Sequence, residues 1–232
     1  MLCKISDLIA EVPSADGLYD RCRAYLQEGK TGPDIIIRSG AYRRDKYPTY
    51  VSDEMIAYME SAFQFYTQLI NYGGFYLHSS AVVKDGKAYL FSGDPGAGKS
   101  THAQLWVNTF GGDTRIINDD KPALRCVDGI WYAYGTPWCG KDGINLNDKA
   151  PVAGICFMKK SDRNSIRRLS SKEAMIRILG QTLYLLEEER SGLFAAHLDS
   201  FLRSVPVFEL ENRPEPEAAM LSFETMYNEA ML

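Results

Sequence analysis

A glycine-rich stretch near the middle of the chain constrains the fold more than any other segment. Residues 93–101 have the sequence GDPGAGKST, which contains in full the pattern GxxxxGK followed by Ser or Thr. An apolar run from Tyr89 to Phe91 precedes this stretch, and a helical pattern follows it. This order predicts a strand, a tight glycine loop and a helix, the local structure that surrounds nucleotide phosphates.

The residue types in this loop suit phosphate binding. Glycines allow the backbone to curl until successive N–H groups face an anion, and the next helix directs the positive end of its dipole at the same point. Lys99 is expected to reach the β- and γ-phosphates, and Ser100 to bind Mg²⁺. A glycine turn that only starts a helix is the simpler alternative, which the full match disfavours. The predicted nucleotide-binding residues are Gly93, Asp94, Pro95, Gly96, Ala97, Gly98, Lys99, Ser100 and Thr101.

Two adjacent carboxylates, Asp119 and Asp120, follow the strand-like Ile116–Ile117. One carboxylate can accept a proton from an attacking hydroxyl while the other holds a metal ion, so the pair suits nucleotide chemistry beside the glycine loop. The alternative is an Asp-rich turn before Pro122. His78 is a third candidate, although a lone histidine near an apolar strand is usually a core residue.

Composition excludes several classes of protein. The chain has 232 residues and a formal net charge of −4, whereas nucleic-acid and membrane binders usually carry a basic excess. The five cysteines include no CxxC pair and there are three histidines, so no Cys/His zinc site can be assembled. No signal-peptide pattern and no run of about 18 apolar residues occurs, which predicts a cytoplasmic protein.

Strand-like and helix-like segments alternate after residue 51, which predicts an α/β fold with a mixed sheet and flanking helices. Ser52 is the predicted cap of the first long helix, and Asp85-Gly86 indicates a hairpin turn. The other predicted strands are 75–83, 87–92, 114–118, 122–127, 130–134, 153–158 and 206–210, and the predicted helices are 99–110, two or three within 171–204, and 216–231.

Residues 1–50 have the least regular pattern, with a helical segment over 17–29, a strand at Ile35–Ile37 and a basic cluster at Arg43, Arg44 and Lys46. We expect this stretch to pack on a nucleotide-binding domain formed by residues 51–232. Within that domain, residues 135–141 (GTPWCGK) are expected to form a turn. Lys141 and Trp138 could contact the substrate there, or Trp138 could instead be packed on the core.

Three segments together resemble a known family. They are LHSSAV at 77–82, SGDPGAGKST at 92–101 and NDD at 118–120, in an order similar to the catalytic domain of HPr serine kinase/phosphorylase and especially its shorter stand-alone relatives. The resemblance covers about residues 60–160, with a weaker similarity at 205–210 and in the last helix. It implies a mixed-sheet P-loop fold shared with ATP-dependent phosphoenolpyruvate carboxykinases.

The resemblance also implies roles for individual residues. Asp119 would be the base that deprotonates a substrate serine, His78 would orient Asp119, and Asp120 and Ser100 would serve Mg²⁺. ATP would be the phosphoryl donor, and the acceptor a serine on a protein or peptide, in some relatives linked to peptide modification. A homo-oligomer is compatible with the sequence.

The chain departs from that family in one motif. It has GTPWCGK where HPr kinases carry an ExRG-type motif, and no glutamate lies between Asp120 and Glu173. A second hypothesis is therefore a nucleotide-binding regulatory module without catalysis. A carboxykinase-like small-molecule enzyme ranks last, because no suitable cluster of Arg and Lys/His residues is evident. The acceptor and the choice between ATP and GTP stay open.

Overall fold

The computed structural model describes residues 1–14, 17–29, 32–40, 44–182 and 188–229. Arg43 of the predicted basic cluster, residues 183–187 and the end of the predicted last helix lie outside this set. The described residues form a mixed α/β structure with a three-stranded sheet, a nine-stranded mixed sheet and flanking helices.

The elements are numbered in chain order. The described strands are β1 (Leu2–Ile5), β2 (Leu8–Glu11), β3 (Ile35–Ile36), β4 (Gly74–Tyr76), β5 (Ser79–Lys84), β6 (Lys87–Ser92), β7 (Arg115–Asn118), β8 (Ala123–Val127), β9 (Ile130–Tyr134), β10 (Lys149–Lys160), β11 (Ser165–Arg168) and β12 (Val207–Asn212). The described α-helices are α1 (Leu18–Cys22), α2 (Asp53–Leu69), α3 (Lys99–Phe110), α4 (Ser171–Leu179), α5 (Glu188–Ser204) and α6 (Pro216–Glu229).

The N-terminal residues form a small sheet that shares a core with α2. Strands β1 and β2 form an antiparallel hairpin, and β3 pairs parallel to β2. Side chains of this sheet and of α1 lie in one hydrophobic cluster with Phe65, Tyr66 and Trp138. Helix α1 passes into a short 3-10 helix at Arg23–Tyr25, so the predicted helix over 17–29 is shorter than expected.

Helix α2 begins directly after Ser52, the residue that the sequence predicts as its N-cap. The Ser52 side chain accepts a hydrogen bond from the Met55 N–H at 3.2 Å, which satisfies one of the free donors of the first turn. The apolar face of α2 is buried against both the small sheet and the loop that carries Trp138. This helix therefore lies between the N-terminal unit and the region of the acidic pair.

The large sheet has the order β4-β8-β9-β10-β6-β5-β7, with β12 between β10 and β11. Strand β10 runs parallel to β6 and β12, and the other pairs are antiparallel. Alternate residues of β5 and β6 point to opposite faces, since Val82 and Phe91 pack with α3 and α6 whereas Val83 and Leu90 pack with α4 and α5. The sheet is thus covered by helices on both faces, and no described helix has the length and apolarity to cross a membrane.

The strand predicted over 75–83 is divided in two. Strand β4 pairs with β8, whereas β5 pairs with β6 and β7, and Leu77 and His78 connect them. The hairpin turn is confirmed, with positive φ at both Asp85 and Gly86. Strand β11, sequence SIRR, was not predicted because three of its four side chains are polar.

Substitutions at two glycines, one in a crowded position and one in an open position, test the described packing. A Cβ at Gly135 would lie 1.9 Å from the Leu146 carbonyl oxygen, whereas a Cβ at Gly192 within α5 has no neighbour within 4 Å. We expect Gly135→Ala to lower the free energy of unfolding by about 1–3 kcal/mol or more through overpacking. Gly192→Ala should raise it by about 0.5–1 kcal/mol through helix propensity. Urea unfolding followed by circular dichroism measures both, and equal effects would contradict the described packing.

Candidate active site

The glycine loop joins β6 to α3, and the N-terminus of α3 has no side-chain cap. Gly93, Gly96 and Gly98 all have positive φ, which side chains other than glycine rarely adopt. Gly98 is the N-cap of α3 and offers no side-chain hydrogen bond to the first turn. The N–H groups of this turn therefore lack a side-chain cap and can face an anion.

Lys99 lies under this loop. Its side chain is 9% exposed, and its Nζ donates to the carbonyl oxygens of Gly93, at 2.8 Å, and Asp94, at 3.3 Å. Burial lowers the pKa of Lys99, while the negative charges of Asp120 and Asp94 act in the opposite direction. Lys99 is therefore held against the loop by two backbone carbonyl groups.

The acidic pair follows β7, and Asn118 holds it in place. The buried Asn118 side chain accepts from the N–H groups of Asp120 and Lys121, at 2.9 and 2.7 Å, and donates to the Thr136 carbonyl oxygen at 3.0 Å. It thereby ties the pair to the 135–141 loop. Asn118 was not among the predicted site residues, although its position directly before the pair was a signal for this role.

Asp119 is 7% exposed, and its Oδ1 accepts from the Gly140 N–H at 2.5 Å. A Cβ at Gly140 would come within 2.9 Å of Asp119 Oδ2, so any larger residue there would displace this carboxylate. Burial raises the pKa of Asp119, which the bond from Gly140 only partly offsets. A carboxyl group in this environment is a better proton acceptor than an exposed one.

Asp120 is in the opposite electrostatic environment. Burial would raise its pKa, but His78 and Lys121 lower it well below the usual range. His78 Nε2 lies 3.1 Å from Asp120 Oδ1, Lys121 Nζ binds the other carboxylate oxygen, and the Tyr58 hydroxyl is 3.4 Å away. Asp120 is therefore held ionised by cationic and hydrogen-bonding neighbours.

His78 contacts Asp120, and the expectation that it orients Asp119 is wrong in this structure. Strands β5 and β7 are antiparallel, so the residues after Asn118 run alongside those before Ala81, and the Ser79 N–H donates to the Asp120 carbonyl oxygen at 3.0 Å. The other ring nitrogen of His78 lies 3.1 Å from Gln181 Oε1.

Gln181 was not predicted from the sequence, since it belongs to no motif and follows α4 more than one hundred residues after His78. Its backbone carbonyl oxygen accepts from the His78 N–H at 2.8 Å. Its Nε2 reaches Asp94 Oδ1 at 3.4 Å. Gln181 therefore links the histidine to the glycine loop.

The two candidates for substrate contact differ in accessibility. Trp138 is completely buried beside Phe65 and Tyr66, and its Nε1 donates to Ser61 Oγ at 2.9 Å. Trp138 is therefore a core residue, and a contact between its side chain and a substrate is ruled out by its burial. Lys141 is exposed and lines two cavities.

These two cavities lie on either side of the 139–141 loop. The first, about 690 Å³, extends from residues 96–102 of the loop and helix to the ends of β10 and β12. The second, about 420 Å³, lies between α1, α2 and residues 139–141, and Asp120 and Lys121 form part of its wall. Exposed Met55 and Met59 face it, and the Arg21 guanidinium lies 4.7 Å above the Tyr58 ring at its edge.

The site offers few metal ligands of its own. Among the described residues, no group of three or more His, Cys, Asp or Glu side chains could hold a metal ion. Mg²⁺ usually binds one or two carboxylates and completes its coordination with waters and phosphates. An ionised Asp120 and the exposed Ser100 hydroxyl fit that type of coordination.

Comparisons with known proteins give distant structural likenesses. No family model and no curated protein matches the sequence. The chain is similar to a solved structure of the Hpr(Ser) kinase/phosphatase from Coxiella burnetii, with 13% identity and a TM-score of 0.39 over 66% of this chain and 97% of that chain. A TM-score of this size carries no argument about function.

The role of Asn118 can be tested through stability. Asn118→Ala removes the hydrogen bonds that this side chain makes to the Asp120 and Lys121 N–H groups and to the 135–141 loop, so we expect the free energy of unfolding to fall by about 2–4 kcal/mol. The matched control is Asn147→Ala, since the exposed Asn147 makes one bond, to the Ala24 carbonyl oxygen, and should change the value by about 0.5 kcal/mol or less. Equal losses in urea unfolding would contradict the positioning role.

Proposed function

We propose that this protein is an ATP- and Mg²⁺-dependent kinase that transfers the γ-phosphoryl group to a serine hydroxyl on a cytoplasmic protein or peptide. One observation carries the proposal: a glycine loop with an uncapped helix start is linked, through Gln181 and His78, to the carboxylate of Asp120. We further propose that the α/β structure is a P-loop domain of the HPr kinase/phosphoenolpyruvate carboxykinase type. The β6–loop–α3 order within a mixed sheet supports this.

The loop would hold the phosphates. Backbone N–H groups of the glycine loop and of the first turn of α3, together with the positive end of the α3 dipole, would stabilise the negative charge of the triphosphate. Lys99 would exchange its bonds to the Gly93 and Asp94 carbonyl oxygens for phosphate oxygens, and Ser100 and Asp120 would hold Mg²⁺. The bound Mg²⁺ would neutralise charge on the phosphates.

The two carboxylates of the acidic pair would have different roles, because their electrostatic environments differ. Asp119, whose pKa is raised by burial, would accept the proton of the acceptor serine as its oxygen bonds to the γ-phosphorus and the bond to the ADP oxygen breaks. Asp120, kept ionised by His78 and Lys121, would serve the metal. His78 would thus act on the metal ligand and not on the base.

The acceptor would enter the 420 Å³ cavity beside Asp120. Met55 and Met59 offer an adaptable apolar wall, which suits a peptide side chain. Lys141, shared by both cavities, would lie between donor and acceptor. Arg21 adds a positive charge at the far wall.

A regulatory module that binds nucleotide without transferring phosphate is the second candidate. The absence of a glutamate between Asp120 and Glu173 and of a three-ligand metal group among the described residues favours it. Both candidates would bind nucleotide at the same site, but only the kinase would transfer the γ-phosphoryl group to an acceptor.

Nucleotide binding is tested by thermal stability. At one hundred times Kd, ATP with Mg²⁺ should stabilise the wild-type protein by about 2.7 kcal/mol, which raises Tm by about 5–10 °C. Lys99→Met should lose most of this shift because the cation that faces the phosphates is removed. Lys4→Met, on the exposed side of β1, is the control and should keep the full shift. An undiminished shift in Lys99→Met would contradict the proposed phosphate site.

Transfer is tested with labelled ATP and a library of serine peptides. Asp119→Asn should lower the transfer rate by about 10²–10⁴-fold and leave the ATP-induced Tm shift in place, because the base is lost and the phosphate loop is intact. Asp113→Asn, in the exposed turn after α3, is the matched control. Equal transfer by Asp119→Asn and wild type would remove Asp119 from this role. Tight ATP binding with no transfer to any serine would favour the regulatory module.

A further inference from the structure

The end of the 690 Å³ cavity opposite the glycine loop is formed by the ends of parallel strands. Strands β6, β10 and β12 are parallel and adjacent, and their register aligns Phe157 with Ser92 and Lys160 with Asn212. Their carboxyl ends therefore lie along one edge of the sheet, where ligands of open α/β sheets bind. The 690 Å³ cavity follows this edge and is lined at its far end by Lys160, Ser161, Asn212 and Pro214.

A nucleotide with its phosphates on the glycine loop would place its base toward this far end. The loop and the α3 N-terminus take up one end of the cavity, and the strand ends form the other. The side chains of the far end would then decide which base is accepted. This step rests on the proposed function.

Asn212 provides an unused hydrogen-bonding group there. The residue is 7% exposed, and its side-chain Oδ1 has no hydrogen-bond partner among the described residues. The backbone on either side is hydrogen-bonded, since the Asn212 carbonyl oxygen accepts from the Ser161 N–H at 3.1 Å and the Arg213 N–H donates to Asn164 Oδ1 at 2.8 Å. An unpaired buried acceptor is costly, and the broad terminal torsion of an amide lets it turn toward the cavity.

A second polar atom in the cavity wall is also unpaired. His102, in the first turns of α3, is 1% exposed, and its Nε2 lies within 3.1 Å of both Trp106 Nε1 and Ser222 Oγ. Its Nδ1 has no hydrogen-bond partner among the described residues. Both residues line the same cavity, so two of its side chains have bonding capacity that the rest of the described chain does not use.

We propose that Asn212 selects the base by pairing its amide with adenine. Adenine presents a donor and an acceptor side by side, the N6 amino group and N7, and a carboxamide matches both. Guanine presents two acceptors, N7 and O6, at the same edge, so one of them would face the amide oxygen. The cavity would therefore prefer ATP to 6-oxopurine triphosphates.

The test compares binding of ATP, ITP, GTP and 7-deaza-ATP by isothermal titration calorimetry with Mg²⁺, and needs no phosphoryl acceptor. Wild type should bind ATP about five- to twentyfold more tightly than the other three, the effect of one or two hydrogen bonds. Asn212→Leu should reduce these ratios to about one. Asn228→Leu, the same change on the exposed side of α6, should leave them unchanged.

Several results would overturn the inference. Equal affinity of wild type for ATP and ITP would do so, as would an unaltered ratio in folded Asn212→Leu. If that variant does not fold, Asn212→Ala and the ligand series on wild type decide the question. Failure of all four triphosphates to bind a folded wild type would instead overturn the proposed function itself, so the two failures are distinguishable.

Discussion

Strand β10 is the element on which the rest of the structure depends, because it belongs to two differently arranged parts of the sheet. Its first residues pair antiparallel with β9, and its later residues run parallel between β6 and β12, with a register shift between Val152 and Gly154. A Cβ at Gly154 would lie 3.2 Å from Met226 Sδ, so glycine there allows α6 to pack closely at the shift. The parallel half aligns the ends of three strands, whereas the antiparallel half places the end of β9, from which the 135–141 loop continues, beside the first residues of β10.

The acidic pair shows how two neighbouring carboxylates can acquire different properties. Asp119 is buried with a single backbone donor, whereas Asp120 has His78, Lys121 and Tyr58 around it. Burial acts on the pKa of both groups in the same direction, and only at Asp120 do the hydrogen bond from His78 and the bond and charge of Lys121 reverse its effect. An acid pair divided in this way is a general route to separate proton transfer from metal binding.

Much of the fold followed from local rules. The helix after the glycine loop begins at Lys99 and ends at Phe110 as expected, and Ser52 caps α2. These elements are set by contacts within a few residues, namely a glycine with positive φ, a capping hydroxyl and helical spacing of apolar side chains. Strand β11 escaped prediction because its polar side chains are stabilised by pairing with β12, a partner about forty residues away in sequence.

The sequence by itself determined the glycine loop, the presence of the acidic pair and an α/β layer arrangement, since these depend on short patterns and on the periodicity of apolar residues. Tertiary structure alone decided that His78 meets Asp120, that Trp138 lies in the core, and that Gln181 and Asn118 hold the site together. The register between antiparallel strands and the packing of α2 against a distant loop produced those contacts. The register of the parallel strands placed Asn212 beside the 690 Å³ cavity, because β6, β10 and β12 end at one edge of the sheet.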